Sequence, residues 1–263
     1  MLPKYIFSGY DDRQSFGYDV FAHSVWRHSH GLVDTIALKH KTLRDKGLFN
    51  RPWKIDEKGQ FVDLIDGKPF STQFSHTRFL VPAIAKKLGL KGTVLFVDGN
   101  DFLCLQNPYD IFFAPDLQET DKPVYVVKHN YNISSTTKMD GMINEQYPKK
   151  NWSSCMLFNL DHPALDKLIP AYVNNADGSV LHQFKWLESD ELIGTLDPKY
   201  NVLIGEDISA ERVVNNPVFL HYTKGLPLMK GYEESPYAWL WRNEEKATMD
   251  WKPTPSINLE KAL

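Results

Sequence analysis

The sequence predicts an α/β domain, a mixed and mostly parallel central sheet flanked by helices. Three observations carry this. Residues 93–97 (TVLFV) are uniformly apolar, as a central strand covered on both faces must be. Strand-like and helix-like segments alternate along the chain, the signature of βα units. No linker, repeat or low-complexity tract divides the 263 residues, so one domain is expected, with the 42% apolar and 24% charged composition of an ordinary globular protein.

The elements follow in order. Residues 4–9 (KYIFSG) read as a first strand ending at Gly9, before a polar turn over 10–14. Apolar stripes over 17–29 predict a helix, and 33–38 (VDTIAL) a second strand. The Gly-, Pro-, Asp- and Lys-rich stretch 44–70 reads as an irregular insert with a small hairpin. A helix is expected over 73–88, stopped by Gly89 and kinked or divided by Pro82. Further strands are expected at 123–128, 154–159 and 217–221, and a helix over 163–173. The polar, proline-bearing stretch 244–263 reads as a loosely packed tail.

Charge and cysteine usage narrow the function. The net charge of −3 lacks the basic surplus of a dedicated nucleic-acid binder. Cys104 and Cys155 sit in apolar runs, as buried thiols of a reducing cytoplasm do. The opening residues turn polar too soon for a signal peptide, and no apolar run reaches the roughly 20 residues of a membrane span. A cytoplasmic protein is expected, in which the N-x-S sequons at Asn132 and Asn151 have no role. Walker-type, G-x-G-x-x-G and G-x-S-x-G motifs are absent from the sequence, so kinase, dehydrogenase and esterase readings lack their motifs. His23, His28 and His30 cluster near Trp26 without an accompanying acid or cysteine, and read as packing or surface residues. Trp239, Trp241 and Trp251 suit either a core or a stacked sugar ring.

The chemistry concentrates at the end of 93–97, which runs directly into Asp98-Gly99-Asn100-Asp101. Ligands of α/β sheets bind outside the carboxyl ends of the strands. Two carboxylates placed there repel each other and are costly to bury, and a divalent cation such as Mg2+ or Mn2+ resolves the conflict. D-G-N-D is equally good turn chemistry.

In this context the strand-end acids resemble the D-x-D metal motif of glycosyltransferases of the GT-A fold. LFVDGNDFLCLQNPYDIF is similar to the strand and follow-on of family 8-type enzymes and of small related transferases from bacteria and phages. The spacing departs from D-x-D by one residue. It therefore stays open which acid would touch a metal directly and which would act through water or ribose. LHYTKGLP (220–227) resembles the H-x-x-G-x-x-K-type element that closes the family's site. It implies His221 as the third metal ligand beside Asp98 and Asp101, with Lys224 and Gly225 against the diphosphate, although the order and spacing of Gly and Lys differ.

Four more stretches complete the resemblance. IFSGYDDR resembles the strand and turn that receive the nucleoside, implying Tyr10 stacked on the base and Ser8 or Asp11 on its edge. Gly9 and Gly99 join these as nucleotide-binding positions. STQFSHTRFLVPAI implies a basic residue near the nucleotide, Arg78. NWSSCMLFN resembles the strand lining the sugar and acceptor side, implying Asn151, Trp152, Ser153, Ser154 and Asn159. WLESDELIGTLDPKYN resembles the following segment, which carries an acid beside the transferred sugar; Asp190 is the candidate, with Glu188 and Glu191 as rivals.

The resemblance implies a single GT-A (Rossmann-like) domain, with a nucleotide-binding part over about 1–105, an acceptor-side part over about 106–243 and the tail. It implies Mn2+ or Mg2+ as cofactor. The implied reaction moves a sugar from a nucleotide-diphosphate sugar, UDP favoured, to a hydroxyl of an unidentified glycan, lipid or protein acceptor, with retention. Under inversion Asp190 would be the general base. Two alternatives stand beside it: a nucleotide-sugar-binding protein without transferase activity, and a sugar-nucleotide hydrolase or nucleotidyltransferase.

Overall fold

A computed structural model describes residues 3–117, 121–139, 141–206, 215–252 and 257–263. The first half supplies β1 (Lys4–Gly9), β2 (Val33–Leu38), the insert strands β3 (Trp53–Ile55), β4 (Phe61–Asp63) and β5 (Pro69–Phe70), then β6 (Thr93–Val97) and β7 (Phe102–Cys104). The second half supplies β8 (Val124–Val126), a short hairpin of β9 (Thr137–Lys138) and β10 (Met142–Ile143), β11 (Cys155–Asn159), β12 (Ile193–Thr195), β13 (Val202–Leu203) and β14 (Phe219–His221). The main sheet has the order β12-β8-β11-β6-β1-β2. Within it β11 is antiparallel to both neighbours, and the remaining pairings are parallel.

Strand β6 lies inside this sheet and obeys the period of two. Val94 and Phe96 enter one core cluster, Leu95 and Val97 the other, and all four are buried. One face is covered by the helix Val81–Lys87 through Val81, Ile84 and Ala85, and by Leu165, Leu168, Val173 and Trp186. The other face is covered by helix α1 (Ser15–Ser29) through Phe21 and Val25, with Phe102, Ile111 and Phe219. A third cluster joins Val20 of α1 to the small sheet β13-β14-β7 and to Trp241.

Four expectations are corrected. The helix over 73–88 is shorter: a 3-10 turn at Thr77–Leu80 leads into Val81–Lys87, and Pro82 sits in the first turn, where its missing N–H costs nothing. The helix over 163–173 is broken into a 3-10 turn, Pro163–Lys167, and a single helical turn, Pro170–Val173, because Pro170 holds Ile169 extended (φ −90°, ψ 160°). The insert 44–70 contains a three-stranded antiparallel sheet, β3-β4-β5. The C-terminal stretch is docked: in the helix Ala238–Thr248, Glu244 is 6% exposed and pairs with His23 Nδ1 (2.6 Å) and Arg27 Nη2 (2.6 Å) of α1. Leu259 is buried in the first core cluster. Among the described residues no helix is long and apolar enough to cross a membrane. Cys104 and Cys155 are buried and free.

Candidate functional site

The end of β6 delivers Asp98 to the rim of the sheet, and a 3-10 turn, Gly99–Asp101, delivers Asp101 beside it. The turn sits flush on β1. A Cβ on Gly99 would lie 1.6 Å from Ser8 Oγ, so only glycine lets the chain pass. Asn100 pins the loop after β1, donating to the carbonyls of Asp11 (3.1 Å) and Gln14 (2.6 Å). β14 runs antiparallel to β7 with His221 opposite Phe102, and Tyr222 N donates to Asp101 O at 2.8 Å. Register therefore brings His221, 120 positions later in the chain, alongside Asp101. β11 is reversed, so its beginning lies level with the end of β6: Cys155 pairs with Val97, and Asp98 N donates to Ser154 O at 2.9 Å.

These elements floor a cleft of about 240 Å3, partly open to solvent. Its lining contains Arg78, Asp98, Asp101, Asn151, Ser153, Ser154 and His221 from the sequence expectation. Arg78 Nη1 lies 2.7 Å from Asp98 Oδ1, both side chains largely buried. Burial pushes Asp98 up to about 6 against the pull of Arg78. Burial and the neighbouring Asp98 push Asp101 well above the ordinary carboxylate range, and Asp101 Oδ1 has no hydrogen-bond partner among the described residues.

A hydrogen-bond chain sets the tautomer of His221. Asn201 Nδ2 approaches the carbonyl of Asn151 (3.4 Å) and Ser154 Oγ (2.9 Å), and Ser154 Oγ itself donates to that carbonyl (2.7 Å). Asn201 Oδ1 therefore faces His221 Nδ1 at 3.0 Å and accepts its proton. This leaves Nε2 as the nitrogen with the free lone pair. Burial, with Lys138 nearby, holds the imidazole neutral.

The donors have the right chemistry for a divalent ion: two carboxylates, one partnerless oxygen and an oriented neutral imidazole. As they stand, no three His, Cys, Asp or Glu side chains among the described residues converge closely enough to hold one. Arg78 lies against Asp98, and Lys138 lines the same cleft as both acids.

Other expected residues lie outside the cleft. Asp11 is fully buried, and both its oxygens are used, by Arg13 (2.9 and 2.7 Å) and by Gln73 N (3.1 Å), so it braces a turn and has no oxygen left for a base edge. Ser8 is fully buried under Gly99, and the Phe74 ring covers Gly9. Tyr10 packs edge-on against Tyr18, with Lys39 over its ring. Gly225 is covered by Tyr232, and the Lys224 side chain runs beside Gly205. Trp152 donates from Nε1 to His129 O at 2.8 Å. Asn159 stands at the other end of β11, opposite Thr93, roughly 13 Å along the strand from Cys155. Asp190 is 73% exposed and bound to Lys149 at 2.5 Å.

Sequence reasoning missed Lys138, Lys150, His76, His182 and Tyr147, which line the cleft, and Asn201 behind it. Of these, His76 lay within STQFSHTRFLVPAI and Asn201 within WLESDELIGTLDPKYN, two stretches singled out for other residues.

No family model matches the sequence. The curated Protein CDI of Arabidopsis thaliana is 38% identical over 243 residues, covering 92% of this chain and 86% of that protein. The chain belongs to the Protein CDI family. For fold, this member of the Protein CDI family is similar to the glycosyltransferase GlyE of Streptococcus pneumoniae TIGR4, with a TM-score of 0.55 at 16% identity. The match covers 93% of the chain and 60% of GlyE; the apo form of GlyE gives a TM-score of 0.52 over the same shares. The chain thus spans three fifths of GlyE, and the likeness establishes the α/β GT-A architecture.

Proposed function

We propose that this protein is a glycosyltransferase that uses a nucleotide-diphosphate sugar and an acceptor hydroxyl in the cleft floored by Asp98 and Asp101. The observation that carries the reading is the pair of carboxylates at the end of a central strand, Asp101 buried and the Asp98 side chain largely so, on the floor of a cleft shared with His221. The reaction breaks the bond between the anomeric carbon and the diphosphate and forms one to the acceptor oxygen. The nucleoside diphosphate leaves, and its negative charge must be met by cations held in place beforehand. Arg78 supplies one such charge on the floor.

UDP as the nucleotide, Mn2+ or Mg2+ as cofactor, and retention complete the proposal. Asp98, Asp101 and His221 would hold the ion, which when bound would act as a Lewis acid on the diphosphate. Asn201 keeps His221 Nε2 unprotonated for that purpose. Retention is supported by the placement of Asp190, the acid available for inversion, outside the cleft and on Lys149. The acceptor side would fall to Ser153 and Asn151, at the start of the reversed strand. The test is UDP release from a panel of UDP-sugars with Mn2+, with and without candidate acceptors; acceptor-dependent release is expected.

One observation favours a second reading, a nucleotide-sugar-binding protein without turnover. Arg78 lies on Asp98, and the three metal donors do not converge as they stand. UDP-sugar binding with no turnover across a broad acceptor panel would establish it.

A further inference from the structure

The cleft holds cations that the reading above does not use. Lys138 enters from the β9–β10 hairpin and Lys150 from the turn before β11. The hairpin is fastened on both sides. Met139 N donates to Lys224 O at 2.5 Å, and Ile143 N donates to Gln60 Oε1, in the insert, at 3.1 Å. Asn144 ties the hairpin to itself through Ser135 O (2.7 Å) and Thr136 O (2.9 Å). The Lys138 side chain is thereby held in the cleft that Asp98 and Asp101 also line.

Lys150 is 7% exposed and spends one N–H on Glu145 O at 2.7 Å, with its ammonium over the Tyr147 ring. The two lysines line the same cleft. Among the described residues neither forms an ion pair within 4 Å. Two ammonium groups lining one cleft, with donors that no carboxylate takes up within 4 Å among the described residues, suit an anion with several oxygens.

We propose that Lys138 and Lys150 bind the two phosphoryl groups of a diphosphate ligand, in the role that the sequence pointed to Lys224. Lys224 contributes its backbone carbonyl, which seats the hairpin, while its side chain stays outside the cleft. The inference rests on the donor reading for the nucleoside half of the ligand and on these residues alone for the phosphate half.

The test is calorimetric titration of the full chain with inorganic pyrophosphate, UDP and uridine. Lys138→Met and Lys150→Met should each weaken pyrophosphate and UDP about 10–100-fold, as the loss of one charge-assisted contact does, and leave uridine within about twofold. Lys138→Arg should restore most of the affinity, which separates lost charge from lost folding. Lys224→Ala should leave all three ligands unchanged. Unaltered UDP and pyrophosphate affinity in both Met variants overturns the proposal, as does a loss that tracks Lys224. Wild-type protein that binds pyrophosphate but neither UDP nor uridine leaves the lysine pair standing and removes the donor reading. Wild-type protein that binds UDP no better than uridine does the reverse.

Discussion

Replacing Asp98 with asparagine separates what the acid does for the reaction from what it costs the fold. Its ordinary value is 3.8 and its folded value about 6, so ionising it costs the folded state about 3 kcal/mol at neutral pH. Burial, the larger cause, raises the value, and Arg78 lowers it without cancelling the burial. The sign follows directly. Below pH 3.8 the group is protonated folded or unfolded, and its contribution is fully present. As pH rises from about 4 to about 6 the unfolded chain gives up its proton first, and stability is lost through that window. Asp98→Asn abolishes this loss. The variant should match wild type near pH 4 and exceed it by about 3 kcal/mol above pH 6, while UDP release in the presence of acceptor falls to background. The assay is denaturant unfolding at half-unit pH steps from 4 to 8, with turnover measured on the same samples. A gain that does not vary with pH, or a loss at pH 7, would refute the reasoning: the ion pair with Arg78 would then outweigh burial.

Other substitutions probe the supports of the site. Gly99→Ala drives a Cβ to 1.6 Å from Ser8 Oγ and should cost at least about 1–3 kcal/mol; Ser8→Gly in the same chain should recover part of it, read from thermal melts in a double-mutant cycle. Asn201→Ala frees the His221 ring and should lower turnover about 10–100-fold with uridine affinity unchanged, measured by UDP release and calorimetry. Glu244→Ala removes the buried partner of His23 and Arg27 and should cost on the order of 2 kcal/mol in urea unfolding, with faster amide exchange in the helix Ala238–Thr248.

What was legible in the sequence was the part written in local patterns. TVLFV has nowhere to go except the middle of a sheet, and the acids that follow it must stand at its rim. The resemblance at LHYTKGLP pointed to His221, and strand register brings that residue beside Asp101. Most of the errors depended on a contact far away in sequence. Lys138 sits among Ser, Thr and Asp, and nothing local marks it as buried; docking of its hairpin on Lys224 O and Gln60 makes it so. Asp11 looked available until Arg13 and Gln73 took both its oxygens. Asn159 was placed in the site because the strand was recognised without its direction. The C-terminal helix looked like a loose tail because its anchor, His23, lies 221 positions away.

The reversal of β11 has a consequence for how this chain tolerates length changes. In the parallel strands the functional rim is reached at the end of each strand, so new loops there rebuild the site. In β11 the rim is reached at the beginning. A residue added between Asn151 and Cys155 shifts Ser153, Ser154 and the bond to Asp98 N together, and with them the support of the His221 tautomer. A residue added after Asn159 opens a loop on the far rim, where Leu160 N meets Gly92 O and the cleft is out of reach. Inserted residues should therefore be tolerated after β11 and not before it, so that the same stretch of chain is constrained at one end and permissive at the other.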